Sequence, residues 1–372
     1  GSPWKFARCG ESGIEISELL PGLRSIVDDV CLVRSMHTGH NGHEVSIRYF
    51  HGGMPAVLGR PGLPSWLTYA LGSESRDLPA YMVLVDPEGH PVDGVTNWSS
   101  GFMPASFQGT LFRPVGDPIL DLRGPQHIDR KAQREQLDLL AQLNAEHLQR
   151  RPGGSDLMAR INSYELAYRM QSEALDIGEL DRETRETQDA YGLHDANEPK
   201  ALFGRMCLLS RRLVEKGVRF VQIYNAVDKL GWDGHDNNTD YHNRNADQTD
   251  QPTAALLDDL EQRGLLDSTL VIWAGEFGRT PMMQGNKGRN HNPYGFTIWM
   301  AGGGVKAGSI IGATDEIGLR AAEQPQSVKN LHATILTSLG LQPDDLYFDF
   351  NGRQERLTGV AQSWKVIPGV LR

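Results

Sequence analysis

Three short polar segments in the second half of the chain carry residue types that bind metal ions and anions. They are Trp232–Asp236, Gly275–Thr280 and Arg289–Pro293. Between them they supply aspartate, glutamate, arginine and histidine side chains. Carboxylates and imidazoles are common protein ligands of divalent metals, and a metal held in this way activates water or polarises an ester oxygen. We therefore predict a metal-dependent hydrolase.

The first segment follows a predicted strand, Arg219–Tyr224. Ligands of open α/β sheets collect at the carboxyl ends of strands, so this loop lies where a site is expected. Asp233 and His235 are two residues apart and face one ion only if the loop bends. Gly234 and Asn237 make such a bend easy. The alternative interpretation is an ordinary asparagine-rich turn.

The second segment repeats this arrangement after the predicted strand Thr269–Ala274, and we expect Gly275–Arg279 to form a turn. Glu276, flanked by glycine and phenylalanine, is a candidate metal ligand or general base. Arg279 is a candidate clamp for an anion, because guanidinium binds such groups through two parallel hydrogen bonds. The alternative is a surface pair between Glu276 and Arg279, which would stabilise the fold very little.

The third segment places His291 in a predicted loop, Gly285–Pro293, just before the strand Phe296–Ala301. A histidine in such a loop has no apolar face to pack against, although a packed histidine remains the alternative. Asn290 and Asn292 are candidates to orient its ring through hydrogen bonds.

A fourth segment, Ser35–Glu44, follows the predicted strand Val30–Met36 and carries histidines at every third position, His37, His40 and His43. Val45–Phe50 predicts a helix, so Thr38 to His43 would lie at its N-terminus, which attracts anions and favours neutral histidine. His43 is thus a candidate ligand or nucleophile. The alternative is a polar helix cap with incidental histidines.

Strands and helices alternate along the chain, which predicts a mostly parallel sheet covered on both faces. The predicted strands are Val30–Met36, Ala80–Val85, Arg219–Tyr224, Thr269–Ala274 and Phe296–Ala301. The predicted helices are Ile16–Asp29, Pro64–Leu71, Asp129–Arg150, Leu157–Gln171, Ala201–Lys216, Asp247–Arg263 and Ser327–Leu339. We expect residues 126–195 to form a helical insertion or cap. His332 is expected to be a packed histidine.

Bulk composition narrows the class of ligand. The 372 residues carry a formal net charge of −10, which argues against nucleic acid as the ligand, because phosphate backbones are bound by basic surfaces.

No apolar run reaches the roughly 20 residues of a membrane span. The three cysteines lack metal-ligand spacing, and their odd number excludes a complete disulfide framework. The chain begins with Gly1 and no signal peptide, so we expect an expressed fragment or a processed chain.

These motifs together resemble the DUF1501 family of sulfatase-like proteins, related to the alkaline phosphatase superfamily. The resemblance covers essentially the whole chain, and it shows in Gly10–Gly13, Arg34–Met36, Gly231–His235, Gly275–Thr280, and Phe296–Trp299 leading to Ala301–Lys306. It implies one domain over residues 1–372, a three-layer α/β/α sandwich of alkaline-phosphatase type. It also implies hydrolysis of sulfate or phosphate esters.

The resemblance further implies a ligand set. Asp233, His235 and His291 resemble the Asp, His and His of the superfamily's first metal site. Glu276 falls where an aspartate of the second site stands, and Phe277 replaces the adjacent histidine, so one or two divalent ions (Zn, Ca, Mg or Mn) are expected. Arg279 would supply positive charge in place of that histidine.

For the nucleophile, the family pattern points to His43, and no cysteine occupies the position, so formylglycine chemistry is excluded. Thr38 as the nearest hydroxyl, a phosphohistidine at His43, and a metal-bound water all stay open. The family's first strand, with one further metal ligand, is expected to be missing before Gly1.

Three functions therefore stay open. The first is hydrolysis of an anionic small-molecule or glycan ester, with a periplasmic or exported location implied by the family. The second is non-catalytic binding of an anion or sulfated glycan by a degenerate metal site. The third is a metal-dependent mutase or isomerase.

Overall fold

The computed structural model describes residues 1–54, 57–87, 89–123, 128–150, 155–225, 231–360 and 362–372, with the side chains of 148, 150 and 155–162 left aside. The helices in this part of the chain are α1 Pro21–Ser25, α2 His43–Gly52, α3 Leu63–Leu71, α4 Arg130–Arg150, α5 Ser155–Gly178, α6 Arg185–Ala190, α7 Glu198–Glu215, α8 Asn238–Gln262 and α9 Val328–Ser338. Short 3-10 helices are Val27–Asp29, Gly94–Trp98, Ala105–Phe107, Leu180–Arg182 and Leu266–Ser268.

The strands are β1 Phe6–Cys9, β2 Ile14–Ser17, β3 Val30–His37, β4 Tyr81–Val85, β5 Thr110–Leu111, β6 Phe220–Tyr224, β7 Val271–Trp273, β8 Gly278–Gln284, β9 Gly288–Asn292, β10 Phe296–Ala301, β11 Ser309–Ile311, β12 Ala313–Thr314, β13 Ala321–Glu323, β14 Gln326–Ser327, β15 Phe348–Phe350 and β16 Arg353–Glu355. All five strands predicted from apolar runs are confirmed, each within two residues at either end.

The fold is mixed α/β, and its described strands form small sheets rather than one mostly parallel sheet. One sheet has the order β11-β3-β10-β7, with β14 also paired to β3, and a second has the order β5-β4-β6. Pairs in the second sheet are parallel, but β10 runs antiparallel to both β3 and β7. The β8–β9 hairpin explains this direction, because it returns the chain to the end of the sheet where β7 stops.

The prediction of a helix over Ile16–Asp29 is wrong for its first half. Ile14 and Ile16 are buried while Glu15 is exposed, which is the alternation of a strand, and β2 pairs with β1. The helix itself is short and starts at Pro21, a residue suited to the first turn and not to the interior.

The predicted loop around His291 is also wrong. Gly278–Gln284 and Gly288–Asn292 pair antiparallel as a hairpin. Its three-residue connection places Gly285 and Lys287 at positive φ, which is the backbone turn that a short hairpin needs. His291 and Arg279 are direct partners in this register and therefore lie side by side on the hairpin.

The described residues of the segment 126–195 contain the helices α4, α5 and α6, and the assignment of this segment as an insertion or cap stays a prediction. Residues 124–127 and 151–154 of this segment lie outside the described part. Met170, Ala174 and Ile177 of α5 are buried in the hydrophobic cluster that also contains Met206 and Leu209 of α7. The last turns of α5 thus pack directly on the main body of the protein. None of the described helices has the length and apolar composition needed to span a bilayer.

Two histidines with lowered pKa values lie close to the end of α2, His51 within the helix and His332 against it. His332 on α9 is 1% exposed, as predicted for a packed histidine, and its Nε2–H donates to the Phe50 carbonyl at 2.7 Å. Burial lowers the pKa of His332 to about 4 and that of His51 to about 4. Both rings are therefore neutral in the folded protein at neutral pH, whereas they titrate near their ordinary value once the chain unfolds.

We expect His332 to make the protein sensitive to acid. Because its folded pKa lies below the unfolded value, stability falls as pH drops from about 6.5 to about 4. At ~1.4 kcal/mol per pKa unit, the loss attributable to this ring is about 3 kcal/mol. His332→Gln keeps the hydrogen bond to Phe50 and should remove that part of the loss in urea unfolding between pH 7 and pH 4.5. The exposed His194→Gln is the control. Parallel stability curves for wild type and His332→Gln would contradict this assignment.

Candidate functional site

Residues from four separate parts of the chain meet at one place. The N-terminus of α2 supplies His43, the segment after β6 supplies Asp233 and His235, and the turn after β7 supplies Glu276. The hairpin supplies Arg279 and His291. The carboxyl ends of β3, β6 and β7 therefore deliver this cluster, in the position expected for a ligand site of an α/β sheet.

Asp233 lies at the centre of the cluster. Its Oδ1 is 3.0 Å from His291 Nε2 and 3.1 Å from His235 Nε2, and the two Nε2 atoms are 3.0 Å from each other. Arg279 also forms an ion pair with Oδ1 of the same carboxylate. The three residues that sequence reasoning grouped as one ligand set thus do converge on a common point.

In both His291 and His235, the Nδ1 atom is hydrogen-bonded to a carbonyl oxygen on the side of the ring away from Asp233. His291 Nδ1 lies 2.6 Å from the Asn41 carbonyl oxygen, and His235 Nδ1 lies 3.0 Å from Gln284 Oε1. Since a carbonyl oxygen only accepts, each Nδ1 carries a proton, and each Nε2 faces Asp233 as a donor when the ring is doubly protonated and as a lone pair when it is neutral. Two ring nitrogens and a carboxylate oxygen therefore meet in an arrangement that a proton or a cation between them stabilises. The donor set fits a divalent cation with nitrogen and oxygen ligands.

His43 bridges two carboxylates. Its Nδ1 is 2.6 Å from Glu276 Oε1 and its Nε2 is 3.2 Å from Asp233 Oδ2. Hydrogen bonds to Asp233 and then to Glu276 raise the pKa of His43 to about 9, against the opposing effect of burial. In the absence of a cation the ring is therefore an imidazolium that donates to both acids.

The two acids have pKa values below their ordinary range. Burial alone would raise the pKa of Asp233, but hydrogen bonds from His291 and His43 and the charge of Arg279 hold it well below the usual value. For Glu276, burial again opposes, and the hydrogen bond from His43 lowers the pKa. Both carboxylates are accordingly ionised and available to accept protons or bind a cation.

Phe277 forms the apolar wall of the site. Its ring stacks on His291 with centroids 4.4 Å apart and lies 4.9 Å from the ring of His43. The Arg279 guanidinium is 5.8 Å from the same ring centroid. Phe277 thus holds two imidazoles and a guanidinium in place, although it offers no ligand atom of its own.

Some candidates from the sequence lie outside this cluster. The Thr38 hydroxyl is buried and donates to the His40 carbonyl at 3.3 Å, so it is directed at backbone. The His40 ring meets Tyr49 edge-on instead. Glu276 does not pair with Arg279, contrary to the surface-pair alternative, since its partner is His43.

Sequence reasoning missed two groups that shape the site. The Asn41 carbonyl and Gln284 accept hydrogen bonds from His291 and His235 and so orient the two rings. Neither has a signature in the sequence, because a backbone oxygen or a distant amide is indistinguishable from any other. The predicted role of Asn290 and Asn292 in orienting the His291 ring is therefore filled by the Asn41 carbonyl.

The segment that carries Asp233 and His235 is docked on the hairpin through its backbone. Arg289 N–H donates to Gly234 O at 3.0 Å and Asn237 N–H donates to Asn286 O at 3.0 Å. At Gly288 a Cβ atom would lie 1.5 Å from the His235 carbonyl oxygen. The close approach that brings His235 to His291 therefore requires glycine at this position.

The fold and the cluster define a mixed α/β protein with a candidate site for a divalent cation. The chain belongs to the family described as protein of unknown function (DUF1501), whose model matches residues 1–371. A comparison with curated proteins gives no match.

The chain is similar to several solved structures, and the three described next all have low sequence identity to it. Ps i-CgsB, crystallised in complex with k-i-k-neocarrahexaose, is 11% identical with a TM-score of 0.41, over 90% of this chain and 69% of that one. The PsFucS1 sulfatase from Pseudoalteromonas sp. is 13% identical with a TM-score of 0.40, over 89% and 64%. The phosphonate monoester hydrolase SpPMH from Silicibacter pomeroyi is 14% identical with a TM-score of 0.34, over 93% and 73%.

We expect Gly288→Ala to separate His235 from His291. The added methyl overlaps the His235 backbone, so the segment must move, at a cost of about 1–3 kcal/mol in unfolding free energy. Imidazole NMR signals of His235 and His291 should shift. Gly275→Ala is the matched control, because a Cβ there meets its nearest atom at an ordinary 3.6 Å. Unchanged imidazole signals in Gly288→Ala would show that this contact does not position the site.

Proposed function

We propose that this protein is a metal-dependent hydrolase of sulfate or phosphate esters, with one divalent cation held by Asp233, His235 and His291. The observation that carries the proposal is the meeting of two imidazole Nε2 atoms and one carboxylate oxygen within 3.1 Å. Neutral imidazoles whose Nδ1–H groups are held by carbonyl oxygens are the arrangement that metal-binding histidines adopt.

A single ion is the form we favour. Phe277 occupies the place where a second site would need a ligand, and Glu276 is engaged by His43. A cation on the other side of Asp233 would instead be bound by His43, His291 and Asp233. One ligand atom from each of these three residues lies within 4.8 Å of the other two. His43 is held by both acids, whereas the Nε2 of His235 faces Asp233 and His291, so we assign the ion to the His235 side.

Arg279 is proposed to bind the anionic group of the substrate. Its Nη1 is buried and has no hydrogen-bond partner, while Nη2 pairs with Asp233. An unsatisfied buried donor costs free energy, and a sulfate or phosphate oxygen would satisfy it. The guanidinium lies over Phe277, which restricts its movement.

The protein's own groups suit the remaining steps of ester hydrolysis. A bound divalent cation would supply Lewis-acid polarisation of the ester and activation of water. In the cation-free site His43 donates from both nitrogens, to Glu276 and to Asp233, and it is proposed to give one proton to the leaving-group oxygen, with Glu276 holding the ring. This role favours attack by water over a phosphohistidine, because a doubly protonated imidazole has no free lone pair.

The substrate class is an anionic ester of a small molecule or a glycan, and an exported location stays a prediction. Non-catalytic anion binding uses the same Arg279 donor, so it is the alternative that the structure leaves in place. A mutase activity has no separate observation in its favour.

Metal binding is the first test. In calorimetric titrations with Zn²⁺, Mn²⁺, Ca²⁺ and Mg²⁺, we expect one ion per chain for at least one of these metals. His235→Ala and His291→Ala should each lose at least about 100-fold in affinity, since even partners of metal ligands are worth 10–100-fold. His194→Ala is the matched control. Loss in His43→Ala with full affinity in His235→Ala would move the ion to the other side of Asp233.

Hydrolysis is the second test, on aryl sulfates, aryl phosphates, phosphodiesters and phosphonates. We expect metal-dependent turnover, and Arg279→Lys should lower kcat/KM by roughly 10–100-fold through loss of a charge-assisted hydrogen bond. Arg289→Lys is the matched control. Arg289 lies on the same hairpin, and its Nη1 donates a hydrogen bond to the Gly288 carbonyl. Metal and sulfate binding without turnover of any ester would favour the non-catalytic alternative.

A further inference from the structure

Arg279 is held between an acid and an aromatic ring, with one of its nitrogens unused. Its Nη2 forms an ion pair with Oδ1 of Asp233, and its guanidinium carbon lies 5.8 Å from the centre of the Phe277 ring. Its Nη1 is buried and has no hydrogen-bond partner in the part of the chain that the structure describes. A buried donor without an acceptor costs free energy, so this position of Arg279 does not satisfy the whole side chain.

Oδ1 of Asp233 is shared by more groups than one oxygen can serve well. It lies 3.0 Å from Nε2 of His291 and 3.1 Å from Nε2 of His235, and Arg279 pairs with the same atom. A carboxylate oxygen offers about two lone pairs. A cation held by Asp233 and the two imidazoles therefore competes with Arg279 for one atom.

The charges of the cluster balance when no cation is bound. Asp233 and Glu276 are negative, and Arg279 is positive. His43 lies 2.6 Å from an oxygen of Glu276 and 3.2 Å from an oxygen of Asp233, so it donates from both ring nitrogens and carries the second positive charge. The other two imidazoles add no charge when they are neutral. An anion that enters this balanced cluster gains little attraction, whereas a divalent cation on Asp233 would leave an excess of positive charge.

We propose that Arg279 is an internal substitute for the cation, and that the cation and an oxyanion bind cooperatively because the first releases Arg279 for the second. In the cation-free protein, Arg279 is tied to Asp233 and the site binds anions weakly. When Asp233 holds a cation, Arg279 is repelled by that charge and is free to bind a sulfate or phosphate oxygen. The cooperativity rests on the cation site of the proposed function and does not require ester hydrolysis.

Phe277 keeps Arg279 at the site in both states. Its ring stacks on His291 with centroids 4.4 Å apart, so it is itself fixed in place. A guanidinium within about 6 Å of an aromatic centroid is attracted to the ring. This contact does not involve Asp233, and Arg279 therefore keeps it when its partner changes from the carboxylate to the anion.

The test is calorimetry with inorganic sulfate on the intact chain, first without metal and then saturated with whichever of Zn²⁺, Mn²⁺, Ca²⁺ and Mg²⁺ binds most tightly. We expect the metal-loaded protein to bind sulfate roughly 5–150-fold more tightly, the usual range of coupling between two sites. Because coupling is reciprocal, saturating sulfate must tighten metal binding by the same factor. Equal sulfate affinity in the two states would overturn the proposal.

Arg279→Gln gives a readout that a purely structural role would not produce. Removing the competing charge from Asp233 should raise metal affinity about tenfold without anion, or ~1.4 kcal/mol, and should abolish the gain from sulfate. Arg289→Gln is the matched control, because Arg289 lies on the same hairpin with its Nη1 on the Gly288 carbonyl, and it should keep both affinities. Weaker metal binding in Arg279→Gln would overturn the proposal, since Arg279 would then support the cation site.

Turnover of aryl sulfates and phosphates is measured separately on the same protein. Coupled binding without hydrolysis would remove the hydrolase and leave the cooperativity in place. Hydrolysis with uncoupled binding would do the reverse. A wild-type chain that binds none of the four metals would remove both.

Discussion

The site depends on the negative charge of Asp233, to which three imidazoles and a guanidinium are directed. These groups come from α2, the loop after β6 and the hairpin, so the carboxylate is the point at which these three elements are held together. Arg279 and His43 neutralise it when no metal ion is bound. A divalent cation would compete with these positive groups for the same oxygens, so its affinity depends on how easily Arg279 and the proton on His43 can leave Asp233.

The hairpin of β8 and β9 sets the geometry around that carboxylate. It aligns Arg279 with His291, carries Gln284 to the back of the His235 ring, and docks the Asp233 segment through Gly288. It also reverses the chain, which makes β10 antiparallel to its neighbours. One local element therefore determines both the arrangement of the site and the mixed character of the main sheet.

Much of this could be predicted from the sequence where the signal is local. Apolar runs predicted the strands that deliver the site, and the polar residues following them predicted which side chains meet. The hairpin was missed because Gly288-Arg289-Asn290-His291-Asn292 contains no typical strand former, and its pairing is decided by tertiary contacts. The tautomers of His235 and His291 depend on oxygen atoms from residues 284 and 41, which no spacing rule connects to them. The single domain over residues 1–372, the assigned roles of the site residues, and the strand expected before Gly1 stay predictions.

The pairing of β3 has a consequence for the synthesis of the protein. Its partners β10, β11 and β14 all come from Phe296–Ser327, so the strand Val30–His37 has no neighbour until the last quarter of the chain is made. On the ribosome this apolar segment is exposed while most of the protein is translated, and long-range pairing of this kind forms slowly. We therefore expect the sheet β11-β3-β10-β7 to assemble only after the last quarter of the chain has been translated.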